Sequence, residues 1–154
     1  THRSIHAQAK RWPKSAARPS DLYFYHSKSA LNTISKKNAD FQKAEVSEIR
    51  KIKTQTIDKI MEESPYKGQK IDFLSLDVEG SELSILKNFN FRKYSPKVIV
   101  VEYLDLSLKK LEIKNLNIDN IIKSDIYKLI ISNNYTLANV LHSDLVFIQN
   151  NFRD

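Results

Sequence analysis

The chain contains no cysteine and, among 154 residues, only two glycines, Gly68 and Gly80. The first absence removes thiolate catalysis, disulfides and cysteine-ligated zinc. The second removes a glycine-rich phosphate loop, which needs glycine wherever the backbone closes on a phosphate group. No unbroken apolar run exceeds five residues, whereas a membrane-spanning helix needs about 20. No cationic stretch followed by an apolar one marks a secretory leader, and a cytoplasmic location is expected. A G-x-S-x-G nucleophile elbow is also missing, so a Ser-His-Asp hydrolase of that kind is excluded. What remains, 41% hydrophobic and 28% charged residues, suits a folded globular domain.

Charge is unevenly spread. Residues 1–20 hold Arg3, Lys10, Arg11, Lys14 and Arg18 with no acid, against a net charge of +7 for the whole chain, so the remainder is nearly neutral. With Pro13 and Pro19, this stretch reads as a basic arm or truncated element, set apart from an α/β domain over residues 21–154. Nucleic-acid binding is not expected of it, because no basic fold stands behind the arm.

Residues 21–25 form a short aromatic run suited to a strand, and 50–54 alternate like a second. Thr56 offers an N-cap, with Asp58 in the first turn, for a helix ending near Glu63. Residues 71–77 read as a strand, Val78-Glu79-Gly80 as a turn, and 81–88 as a helix that packs Leu83, Leu86 and Phe89. Residues 97–101 are apolar on both faces, which marks a central parallel strand. From Asp119 a helix carries Ile122, Ile126, Leu129 and Ile130 on one stripe. Residues 135–141 and 144–149 are separated only by His142-Ser143, which forces an antiparallel hairpin. Strand, helix, strand, helix, hairpin is the order of the back half of a three-layer α/β sheet. The front half is expected to be missing, leaving the sheet edge at 71–77 uncovered around Phe73, Leu74 and Leu76.

Ligands of open α/β sheets bind beyond the carboxyl ends of the parallel strands. Asp77 and Glu79 follow one such strand, and Glu102 ends the next. Neighbouring strands lie about 4.8 Å apart, so the three carboxylates are expected at one rim. There they repel one another unless one is protonated or paired. Glu82 is expected merely to sit at the N-terminus of its helix. His142, three strand spacings or roughly 14 Å from Asp77, is placed to line a substrate cleft but not to share a metal. No set of metal ligands is assigned.

The run I-D-F-L-S-L-D-V-E-G-S-E at 71–82, then S-I-L-K-N-F at 84–89 and P-K-V-I-V-V-E-Y at 96–103, resembles the diagnostic segments of FkbM-type methyltransferases. Upstream, K-T-Q-T-I-D-K-I at 53–60 resembles that family's strand and helix start, and S-A-L-N-T-I-S at 29–35 its polar active-site loop. The resemblance extends from about residue 21 to the end. It implies a Rossmann-like class I methyltransferase fold, here its back half with the carboxy-terminal hairpin. It further implies S-adenosylmethionine (SAM) as cofactor and a hydroxyl of a small molecule, glycan or lipid as acceptor.

By the same resemblance, Asp77, Glu79 and Glu102 are the catalytic residues, and Asp77, Val78, Asn32 and Thr33 contact the cofactor. Tyr103, together with His142, lines the acceptor side. The chemistry is consistent: carboxylates favour a sulfonium cation, and methyl transfer is an in-line displacement that needs positioning above all. A carboxylate beside the acceptor hydroxyl also suits a general base. The family's glycine-rich loop, and the ribose-binding acid after its second strand, have no counterpart here, so the chain is expected to be a fragment. The competing expectations are a non-catalytic remnant or interaction domain that needs a partner, and a nucleic-acid module built on the arm.

Overall fold

The structure, a computed structural model, describes residues 18–27, 32–42, 45–103 and 117–152. The expected basic arm falls outside these, except for residues 18–20, which open the first strand.

The described residues form two sheets that share no strand ladder. The smaller pairs β1 (Arg18–Phe24) antiparallel with β2 (Glu48–Thr54), in a register that sets Tyr23 opposite Ile49. The Arg50 guanidinium stacks 3.6 Å from the centre of the Phe24 ring. Between the two strands lie a loop and the helix α1 (Lys36–Gln42). Thr33 bridges back to Tyr23 through two backbone hydrogen bonds of 2.8 and 3.2 Å.

The larger sheet contains β3 (Phe73–Leu76), β4 (Val98–Glu102), β5 (Tyr135–Leu141) and β6 (Asp144–Gln149), ordered β3-β4-β6-β5. β4 is central as expected, but it is parallel only to β3 and antiparallel to β6, so the sheet is mixed rather than parallel. The hairpin lies where its two-residue connection puts it, with a register shift between Leu137 and Asn139. β3 is an edge strand among the described residues. Its pleat corrects the expected exposure. Phe73 is 59% exposed, whereas Leu76 points the other way into the core at 7%.

The helices differ from the sequence reading in two places. α2 (Ile57–Glu63) starts as read, with the Thr56 hydroxyl accepting the Lys59 N–H at 3.3 Å, and α3 (Glu82–Asn88) follows Ser81. A four-residue helix, α4 (Phe91–Tyr94), was not anticipated; Asn90 caps it by accepting the Lys93 N–H at 3.0 Å. The long helix expected from Asp119 is instead two, α5 (Ile118–Lys123) and α6 (Asp125–Ile131). Ser124 divides them because its backbone is extended and its side chain caps α6, accepting the Tyr127 N–H at 3.2 Å. The break shifts the buried stripe: Ile121 and Ile130 are buried, while Ile122 is 45% exposed.

One core forms on a single face of the larger sheet. Ile99, Val101, Leu145 and Phe147 bury against Leu86, Phe89, Phe91, Tyr94, Ile121 and Ile130 of the helices. Val98, Val100, Val146 and Ile148 face the other way and stay partly exposed. Sheet and helices together thus make the mixed α/β arrangement that the sequence led one to expect.

Candidate functional site

β3 ends at Leu76, and the chain turns through Asp77–Gly80 before α3 begins. Two successive residues carry the turn in the left-handed region, Glu79 at φ +51° and Gly80 at φ +91°. Glycine tolerates this freely and glutamate does not. The turn is held by Glu82, whose Oε1 accepts the Val78 N–H at 2.9 Å and the Gly80 N–H at 3.2 Å. From the other side, the Thr33 hydroxyl donates to the Glu79 carbonyl at 2.7 Å.

β4 runs parallel to β3, with Leu76 opposite Val101, so Glu102 emerges beside Asp77. One carboxylate oxygen from each of Asp77, Glu82 and Glu102 lies within 4.8 Å of the others. The convergence of Asp77 and Glu102 follows from the strand ends, whereas Glu82 joins them from the helix. Asp77 is exposed, Glu102 half-buried and Glu82 buried. Asp144 stands opposite Glu102 in the β4–β6 register and adds a fourth carboxylate.

So many acids in one place change their protonation. Burial, then the charges of Asp77, Glu79, Glu82 and Asp144, push the Glu102 carboxyl up from 4.5 to about 8. Its Oε2 is buried without a hydrogen-bond partner. Glu79 is also raised, first by burial and then by Asp77 and Glu82.

The turn faces a cavity of about 550 Å³ bounded on the far side by the smaller sheet, a size suited to a small molecule or cofactor. Leu22, Ile52 and Thr54 form its wall on the smaller sheet; Asn32, Thr33 and Ile34 come from the loop; Asp77, Val78, Glu79, Ser81 and Ile85 come from the turn and α3. The four residues that the family resemblance assigned to the cofactor, Asp77, Val78, Asn32 and Thr33, thus line one cavity together with Glu79. Asn32 and Thr33 are already engaged: Asn32 accepts the Tyr25 N–H and donates to the His26 carbonyl, both at 2.9 Å, and the buried Thr33 hydroxyl holds Glu79. They shape the wall more than they offer free polar groups to it.

Glu102, Tyr103 and His142 do not line this cavity. The Tyr103 N–H donates to the Ser143 carbonyl at 2.7 Å, tying the end of β4 to the hairpin turn, and its hydroxyl reaches the Asn120 carbonyl at 3.4 Å. His142 is exposed in that turn, at φ +55°. A further cavity of about 610 Å³ lies against α5, α6 and β5, and among the described residues no carboxylate lines it.

No helix among the described residues is long and apolar enough to cross a membrane. No curated protein and no solved structure matches the chain. The methyltransferase FkbM domain profile does match, over residues 10–129. That range begins earlier than the resemblance read from the sequence and stops within α6, so it takes in Asp77, Glu79, Glu82 and Glu102 but leaves out the β5–β6 hairpin and His142. By this match the chain belongs to the FkbM methyltransferase domain family.

Proposed function

We propose that the chain is a SAM-dependent O-methyltransferase whose donor sits in the cavity between the smaller sheet and the Asp77–Gly80 turn, and whose acceptor hydroxyl approaches across the acidic rim. The observation that carries this reading is the position of Asp77, which lines the cavity and also lies within 4.8 Å of Glu102 and Glu82 through its carboxylate. The residues suit the cofactor. Leu22, Ile34, Ile52, Val78 and Ile85 offer apolar surface to a purine, and Asp77 and Glu79 offer negative charge to a sulfonium. Bound there, SAM supplies an electrophilic methyl group.

The chain's own part is positioning and proton handling. Asp77 orients the charged end of the donor. Glu102, its carboxyl pushed up to about 8, is poised near neutral pH to take the proton of an acceptor hydroxyl at the rim. A bound cation nearby favours its ionised form, so donor binding prepares the base. The acceptor class proposed is a hydroxyl of a small molecule, glycan or lipid.

Equilibrium binding of methyl-tritiated SAM to the purified chain tests this. Saturable binding that falls at least about tenfold in Asp77→Asn is expected, since the substitution removes a charge-assisted contact. No saturable binding to the wild-type chain would overturn the reading.

A further inference from the structure

Glu82 is buried, at 4% exposure, although it belongs to an acidic rim where Asp77 is open to solvent. Its Oε1 takes two backbone hydrogen bonds, from Val78 and Gly80. Those amides flank Glu79, the one residue of the turn whose side chain resists the left-handed backbone it adopts. Among the described residues the two amides make no other hydrogen bond, so without Glu82 the strained residue between them is free to relax. Thr33 grips the same residue from the opposite side, through its carbonyl. The turn therefore depends on a side chain four positions beyond Val78 and on a loop from the smaller sheet.

We propose that Glu82 is a positioning residue: it does not line the cavity, and its carboxylate fixes the Asp77–Gly80 turn so that Asp77 is presented there. What Asp77 does there rests on the methyl-transfer reading, but how the turn is held does not. An ordinary acid at a helix N-terminus would interact with the first turn of its own helix. Glu82 instead reaches back to the two amides that precede it.

Glu82→Gln, Glu82→Ala and Glu82→Asp separate the shape of this group from its charge. Glutamine keeps an accepting oxygen in the same place, alanine removes it, and aspartate keeps the charge but withdraws the oxygen by one methylene. In amide hydrogen exchange of the full chain, Val78 and Gly80 are expected to stay protected in Glu82→Gln and to exchange at least about tenfold faster in Glu82→Ala. Where Glu82→Ala does not fold, Glu82→Asp gives the same comparison at those two amides. SAM affinity should follow the exchange, falling about tenfold or more in Glu82→Ala and staying within about threefold of wild type in Glu82→Gln. Unchanged protection in both Glu82→Ala and Glu82→Asp would overturn the proposal. So would a Glu82→Gln chain that keeps both amides protected yet loses SAM as Glu82→Ala does, because the charge would then matter and not the turn. If wild type binds no SAM, the methyl-transfer reading fails, and exchange alone decides the role of Glu82.

Discussion

Glu102 holds a proton in the folded chain at a pH where an ordinary glutamate has lost it. Burial, and then the acids around it, push its carboxyl up to about 8 from 4.5. Between those values the native chain binds more protons than the unfolded one, so the sign is fixed. The stabilising contribution is fully present below about 4.5, declines as pH rises, and is lost above about 8. Urea midpoints of wild type and Glu102→Gln, measured from pH 4.5 to 8.5, should therefore diverge steadily, with the variant gaining on wild type as pH rises. Parallel curves would mean that the carboxyl is not raised. Under the proposed mechanism, methyl transfer should climb with pH through the same region, where the base becomes available. The residue itself was readable in the sequence as an acid ending an apolar strand. Its protonation was not, since that depends first on how deeply the folded chain buries it and then on the acids gathered around it, from Asp77 to Asp144, which lies 42 positions along the chain.

Among the elements, those with a strong local signal appeared where the sequence put them. The hairpin is fixed by a two-residue connection, and α2 by the Thr56 cap and the turn that follows Glu63. α4 escaped because four residues are too few to show a helical period, although Asn90 is a good cap. The split between α5 and α6 was also written in the sequence, as Ser124 followed by Asp125, but the evenly spaced isoleucines and leucines masked it. Pairing of β1 with β2 left no local trace, because 23 residues separate Phe24 from Glu48. Glu82 was read only for its helix; its bond to Val78 and Gly80 depends on the backbone angles of Glu79, which no residue pattern discloses. At this scale the cap at Ser124 is directly testable. Ser124→Ala should lower stability by about 1 kcal/mol in denaturant unfolding, the usual cost of losing an N-cap. A loss of less than about 0.3 kcal/mol would mean that packing, not the cap, ends α5 there.

At the scale of the molecule, a chain of net charge +7 carries an acidic rim whose members join none of the ion pairs found among the described residues. Those pairs use Glu48, Asp21, Glu63, Glu62, Asp125, Asp58 and Asp72. The edge strand β3 presents Phe73 at 59% exposure, next to backbone groups that a second chain can pair with. Phe73→Lys should slow aggregation at high protein concentration, followed by light scattering, while moving stability by no more than about 0.5 kcal/mol, as for other surface changes. Equal aggregation of the two chains would clear the β3 edge and point to Tyr66 or Ile49, at 61% and 56% exposure, instead.

The smaller sheet shares no ladder with the larger one, and Thr33, from the loop between its strands, holds the Glu79 carbonyl of the turn after β3. A ligand seated in the cavity touches the smaller sheet on one side and the Asp77–Gly80 turn and α3 on the other, so each contact it makes also mortars one to the other. Occupancy and cohesion rise together, and the empty chain is the form from which a protease most readily peels the smaller sheet away.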